Sequence, residues 1–315
     1  SADVRGVLAD RLSRLLPDLA GDRQGVLYKY VVEALGALAL DEVLKVRLAL
    51  SSVLKDYADA PPDVVTRLAK DVERQVSEPI LRYCMALPDD ALLEILKAHP
   101  ETWAIAAIAG RPSVSEPVSG AVIDTGDRTA GRILIENAGA DISLDQLRHL
   151  VDEARHYPEF QKPVALRKNL PPEIAFELIG FVDQSIRSVL LERTDFPADV
   201  SGDLADMVKR RVEFGKETGE TPQEKVARYF REGKINEEVI GDAIAVRDYL
   251  FVKLALSGIL RVPLATLEGV FDTKSAKAIT ALSWKSGLSM RMALRLQQDV
   301  AKIPYKELIY PRGGT

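Results

Sequence analysis

Cysteine occurs once in these 315 residues, at Cys84. A single thiol excludes an intramolecular disulfide and any zinc site built on several cysteines. Cys84 lies among apolar neighbours at helical spacing, which predicts a buried, inert thiol. Histidine is nearly as scarce, with three copies at His99, His149 and His156. Aromatic residues make up 6 % of the chain, too few for a typical sheet-built core. No apolar run reaches membrane-spanning length, and Ser1-Ala2-Asp3-Val4-Arg5 lacks the apolar stretch of a signal peptide. Glycine-rich phosphate loops and G-x-S-x-G elbows are missing too, so no nucleotide, cofactor or catalytic residue is assigned. A net charge of −5 sets bulk electrostatics against nucleic acid and against anionic membrane surfaces.

What is present is helix. Apolar residues reach 47 %, dominated by Leu, Ala and Val, the composition of helix-on-helix packing. Val4, Leu8, Leu12, Leu15 and Leu16 mark one face of a first helix that Pro17-Asp18 should stop. Val31, Leu35 and Leu38 mark a second, and Asp41 is placed to cap a third. Beyond these, Val76-Ser77-Glu78-Pro79-Ile80 returns as Val114-Ser115-Glu116-Pro117-Val118, at an offset of 38. Serine caps, an acid in the first turn and proline at an entry position give both copies the same expected job. A second echo links Pro61-Pro62-Asp63-Val64 to Pro171-Pro172-Glu173-Ile174 at an offset of 110. A fixed period predicts a stacked array of helix pairs. The signal fades near Asp195-Phe196-Pro197, so residues 1–195 are expected to form the array and 196–315 a non-repetitive helical domain. In the latter, Thr221-Pro222-Gln223-Glu224 reads as a capping box, Asn236, Thr273 and Ser289 as N-caps, and Gly233 and Gly287 as helix stops. The tail from Pro311 should fray.

Residues that could carry chemistry form few constellations. His149, Asp152, Glu153 and His156 share one helical stripe and are the best metal candidate, but Arg148 and Arg155 favour a solvated, salt-bridged face, so no metal site is assigned. His99 precedes Pro100 in a turn and suits a helix end. The basic run Lys209-Arg210-Arg211, continued by Lys216 and Lys225, is interleaved with Glu213, Glu217 and Glu224, again the pattern of a solvated face. Trp103 and Trp284 are the largest anchors and are expected in the core. On the array, helices near 88–98, 127–137 and 171–183 should line one surface carrying Glu94, Lys97, Arg128, Arg132, Glu173 and Glu177, with Arg128 and Arg132 a like-charged i, i+4 pair.

Several strings resemble a mainly alphaproteobacterial family, domain of unknown function 2336. They are Val46-Arg47-Leu48-Ala49-Leu50 with Leu54, Leu68-Ala69-Lys70-Asp71 and the stretch from Val76 to Ile95. In the C-terminal half they are Gly233-Lys234-Ile235, Phe251-Val252, Val262-Pro263 and Lys285-x-Gly287-Leu288-Ser289. Cys84 stands where that pattern has serine. The resemblance implies a HEAT-like helical fold and a bacterial cytoplasmic home, and supplies no catalytic residue. The expectation is an all-α chain acting as a non-catalytic scaffold or adaptor for another protein in bacterial signalling, with no cofactor and no membrane insertion. The alternatives are a helical-repeat enzyme acting on nucleic acid and a small-ligand sensor with a pocket between the domains.

Overall fold

The structure, a computed structural model, describes residues 2–215, 219–304 and 307–310. Lys216 and Glu217 of the charged run, and the tail from Pro311, lie outside the described residues. The fold is all-α. Among the described residues the first thirteen helices are α1 (Ala2–Leu19), α2 (Val26–Leu38), α3 (Leu44–Leu54), α4 (Pro62–Ala69), α5 (Arg74–Tyr83), α6 (Asp89–Lys97), α7 (Thr102–Ala109), α8 (Glu116–Asp124), α9 (Arg128–Glu136), α10 (Leu144–His156), α11 (Gln161–Leu166), α12 (Pro172–Leu178) and α13 (Gln184–Leu191). Seven more follow: α14 (Ala198–Phe214), α15 (Pro222–Arg231), α16 (Glu237–Ala245), α17 (Tyr249–Leu260), α18 (Leu264–Asp272), α19 (Ala276–Lys285) and α20 (Met290–Arg295). Among the described residues the sheet-like element is one isolated parallel bridge between Val114 and Ala140.

Contacts divide the chain into two compact units, 1–175 and 176–315. The fading of the repeat places the division near 195; α13 instead packs on α14 within the second unit. In the first unit alternate helices pack on one another: α1 on α3, α3 on α5, α5 on α7, α7 on α9 and α9 on α11. Their partners include α2 on α4 and α6 on α8.

The spacing differs from the one that the repeated string suggests. Helices α4, α6, α8, α10 and α12 start at 62, 89, 116, 144 and 172, in steps of 27, 27, 28 and 28. The echo at an offset of 110 is therefore four such steps. The echo at an offset of 38 is a coincidence of local strings, because Pro79 lies inside α5 whereas Pro117 opens α8, and the two helices belong to different rows. Ser77 is not a cap: Glu73 holds that position, and the buried Ser77 hydroxyl donates back to the Glu73 carbonyl at 3.3 Å. Both strings bury their flanking aliphatic residues, Val76 with Ile80 and Val114 with Val118. Burial of that pair is a demand common to both rows, so local similarity does not reveal the row.

The first unit has an aliphatic core in which Leu16, Leu35, Leu50, Leu68, Ile80, Ile108 and Leu134 are fully buried. Each such side chain contributes roughly 1.5–3 kcal/mol. The second unit's core includes an aromatic trio, Phe214, Tyr229 and Phe251, packed edge to face at 4.9 to 5.7 Å. No single described helix is long and apolar enough to cross a membrane.

Three local expectations are corrected. Helix α1 runs through Pro17 to Leu19, and it leaves Val4, Leu8 and Leu15 exposed while burying Ala9, Ser13 and Leu16. Thr273 closes α18 instead of capping the next helix, whose N-cap is Ser275. Asp41 sits two residues ahead of the α3 cap, and its carboxylate accepts from the Val43 N–H at 2.9 Å.

Candidate functional site

The ends of the odd-numbered helices are joined by a ladder of side chains. The carbonyls of a helix's last turn have no intrahelical donor and, when buried, must find another. At the end of α3, Leu54 O accepts from the Cys84 thiol at 3.6 Å, and Cys84 is the residue that closes α5. The α5 end is met from beyond α7, where Arg111 donates to Leu81 O at 2.6 Å and Cys84 O at 2.7 Å. Asn137, closing α9, donates to Ala109 O and Arg111 O at 2.9 and 2.7 Å. Arg167, closing α11, donates to Ile135 O, Asn137 O and Ala140 O at 2.9, 3.2 and 2.5 Å. The rungs, at Cys84, Arg111, Asn137 and Arg167, recur at nearly even intervals. Burial pushes the Cys84 thiol pKa up and those of the Arg111 and Arg167 guanidiniums down. Among the described residues no carboxylate lies within ion-pair range of the buried Arg111, and the helix-end carbonyls stand beside it where a counter-ion would.

The last rung forms the wall of an open cleft of about 940 Å³. Asp127 opens α9 by accepting from the Ala130 N–H at 2.8 Å, which starts Arg132 and Glu136 along one wall. The following loop is pinned by two backbone bonds, Val114 N–H to Gly139 O at 3.0 Å and Asp141 N–H to Val114 O at 2.8 Å. A side chain at Gly139 would meet Pro112 O at 2.0 Å, so that passage admits glycine alone. Ser143 and Gln146 then open α10 with a capping box, and α11 carries Lys162 and Leu166 to the opposite wall. The lining holds four cations (Arg132, Lys162, Arg167, Lys168) and three anions (Glu136, Asp141, Glu159). Arg132 pairs with Glu136 at 2.9 Å, and Lys162 and Lys168 are exposed on either side of the half-buried Arg167. Leu166 is an exposed apolar side chain between them.

The six expected surface residues do not form one array. Glu94 pairs with Lys70 at 2.7 Å and lines a smaller, mainly apolar groove of about 340 Å³ with Trp103. Lys97 is exposed at the end of the same α6. Arg132 lines the larger cleft, while Arg128 lies 4.8 Å over the Tyr157 ring and 3.8 Å from Glu159. The like-charged pair is thus resolved by separate partners. Glu173 is exposed in the first turn of α12, with Glu177 half-buried one turn on. Helices α6 and α9 belong to different rows, so the offset of 38 joins faces that the packing separates.

Other expectations also shift. Asp152 lies 3.6 Å from Arg155 with both side chains largely buried, while His156 at the end of the stripe is exposed, so the stripe is salt-bridged and only partly solvated. Among the described residues no three metal-ligating side chains converge. His99 stands just past α6 with a φ of 53°. The run at 209–211 is not a solvated face, because Arg211 is buried and donates to Asp242 at 3.0 Å and to Ile179 O at 3.1 Å. Arg210 reaches the other oxygen of Asp242 at 2.6 Å. Burial lowers the Arg211 pKa. Trp103 is half-buried with Arg74 over its ring, but Trp284 is 81 % exposed, because it lies on the side of α19 opposite Ile279 and Leu282. The ladder residues are not legible in the sequence, since nothing marks an arginine as the cap of a helix one full step earlier in the row. The Ser143-Leu144-Asp145-Gln146 box, by contrast, is a local signal that the sequence does carry.

No curated protein and no solved structure matches the chain. A family profile does match, over residues 76–304, covering α6 to α20 and most of α5. The chain belongs to domain of unknown function 2336, described as an uncharacterised protein conserved in bacteria.

Proposed function

We propose that the chain is a non-catalytic scaffold or adaptor that binds another protein, in the bacterial cytoplasm and in the service of signalling. The observation that supports this reading is the open cleft between α9 and α11. It holds charges of both signs and one exposed leucine, set on a wall that the Arg167 rung makes rigid. Such a surface matches a charged polypeptide with an apolar anchor better than it matches a small molecule. Small-ligand pockets of similar volume are mostly apolar and enclosed, whereas seven charged side chains line this one. The partner is expected to bind independently of metal and nucleotide.

The test is capture from native lysate by the immobilised chain, with and without the double change Lys162→Glu and Lys168→Glu. Both lysines are exposed and neither caps a helix, so the circular-dichroism spectrum should stay constant. Capture should fall about tenfold or more, as expected when interfacial charge complementarity is reversed. It should not respond to a chelator or to added nucleotide. Unchanged partners in unchanged amounts would remove the cleft from the binding surface.

A further inference from the structure

Helices α1 and α2 display an apolar face that the fold leaves uncovered. Val4, Val7, Leu8 and Leu15 on α1, with Val26, Leu27 and Tyr30 on α2, are each between 44 % and 67 % exposed. On α1 the positions 4, 8, 11 and 15 form one stripe, away from the buried Ala9, Ser13 and Leu16. On α2 the positions 26, 30 and 37 do the same, away from Val31, Leu35 and Leu38. Helix α1 turns its buried side to α2 and α3, and α2 packs on α1 and α4, where Gly36 O accepts from Arg67 at 3.0 Å. Each stripe lies opposite the buried residues through which its helix packs on its neighbours. Even at the roughly 150–250 Å² of a large aromatic side chain as an upper bound, exposures of 44 % to 67 % give the seven a patch of several hundred Å². Lone surface hydrophobics are ordinary, but a contiguous patch of this size marks an interface.

We propose that this face is the contact between two copies of the chain, in which α1 and α2 pack on the partner's α2 and α1 to form a four-helix interface. Two observations select a second copy. The exposed area is of the same order as the roughly 800 Å² that each partner contributes to a stable interface. The stripes are also complementary to one another in charge: α1 carries the exposed Arg11 within its stripe, and α2 carries the exposed Glu33 beside Tyr30 and Ala37. A two-fold arrangement uses the same patch twice, so each Arg11 meets the other copy's glutamate at position 33 and the reverse. Around the patch Asp3 pairs with Lys45 at 2.5 Å and Asp10 with Arg14 at 3.0 Å, and the exposed Lys29 stands one turn before Glu33. These form a polar rim around an apolar centre, the usual layout of an interface.

The test is sedimentation equilibrium of the 315-residue chain between about 1 and 100 μM, alone and with three variants. The wild type should sediment as a dimer that dissociates on dilution. Leu8→Glu with Leu27→Glu should be monomeric with an unchanged helical circular-dichroism signal. Arg11→Glu should weaken association about tenfold, the scale of one interfacial charge pair. Adding Glu33→Arg should restore it, a rescue that general damage to the fold would not give. A wild type that is monomeric across the whole range would overturn the proposal, as would a dimer that none of these changes weakens. Binding of the monomer to phosphatidylcholine–phosphatidylserine vesicles, abolished by Leu8→Glu with Leu27→Glu, would overturn it too and assign the face to a lipid surface.

Discussion

The two units finish their helices in different ways. In residues 176–315 four ends are closed by the backbone itself, Lys234 N–H bonding to Tyr229 O, Asp248 N–H to Ala243 O, Val262 N–H to Ser257 O and Leu288 N–H to Ser283 O, while Lys225 also donates to Phe214 O at the end of α14. Each backbone bond reaches back five positions around one left-handed residue, at Gly233, Arg247, Arg261 and Gly287. This is the Schellman closure. Among the described residues no such bond occurs in 1–175, where the side chain of Cys84, Arg111, Asn137 or Arg167 reaches back from the next odd-numbered helix. A local closure leaves each helix independent of its neighbours. A closure borrowed from the next helix makes each turn of the row depend on the one after it, so the first unit should transmit damage further than the second.

The largest effect is expected where the second unit does rely on a distant charge. Asp242→Ala removes the partner of the buried Arg211 and of Arg210, and should cost about 3–5 kcal/mol in urea denaturation. Faster amide exchange should centre on α14 and α16. A loss below about 1 kcal/mol would show that water replaces the carboxylate.

Arg111→Ala should come next, at about 3 kcal/mol, because two buried carbonyls lose their donor and a cavity opens. Here the comparison is at stake. Exchange should accelerate in α5 and α7 together, and confinement of the change to α7 would break the idea of a coupled row. Arg111→Lys should recover only part of the loss, since one ammonium cannot span two carbonyls as a planar fork does.

Acid acts on both units. The Arg5 guanidinium holds Asp41 below its usual 3.8, and Arg74 does the same for Glu78 from 4.5. In the second unit the Ser185 hydroxyl and the Ile186 N–H lower Asp183, and the Thr221 N–H lowers Glu224. All four folded values lie below the unfolded ones. Their stabilisation is therefore complete above pH 4.5 and is lost as pH falls through 3.8 toward the depressed values. The melting temperature should stay level from pH 8 to about 5 and then decline. Added salt should weaken the ion-paired first unit more than the N-capped second.

Cys84→Ser should change stability by less than about 1 kcal/mol, because Leu54 O already stands where a hydroxyl could donate. The folded thiol should react far more slowly than free cysteine, being buried with its pKa raised. The smallest effect belongs to Trp284→Ala, within about 0.5 kcal/mol for so exposed a ring.

The sequence by itself determined the features that depend on neighbours in the chain. Composition and apolar spacing specify an all-α protein. Gly233 and Gly287 mark helix stops, and Thr221 with Glu224, Asn236 and Ser289 mark starts, because a cap is settled within about four residues. The resemblance to domain of unknown function 2336 was also legible, in residues that pack and turn. Tertiary structure decided everything that joins one helix to the next but one. It set the step from α4 to α6 to α8 well short of the echoed string, put α5 and α8 in different rows, and gave Arg132 a cleft in common with Lys162 and Lys168. It also turned Val4, Leu8 and Leu15 outward and Arg211 inward. An apolar stripe tells which residues can be buried together, but which stripe is covered depends on where the neighbouring helix lies. That position is fixed by bonds such as Asn137 to Arg111 O, Arg167 to Ile135 O and Arg211 to Ile179 O, which join distant turns of the chain and leave no mark in the local sequence.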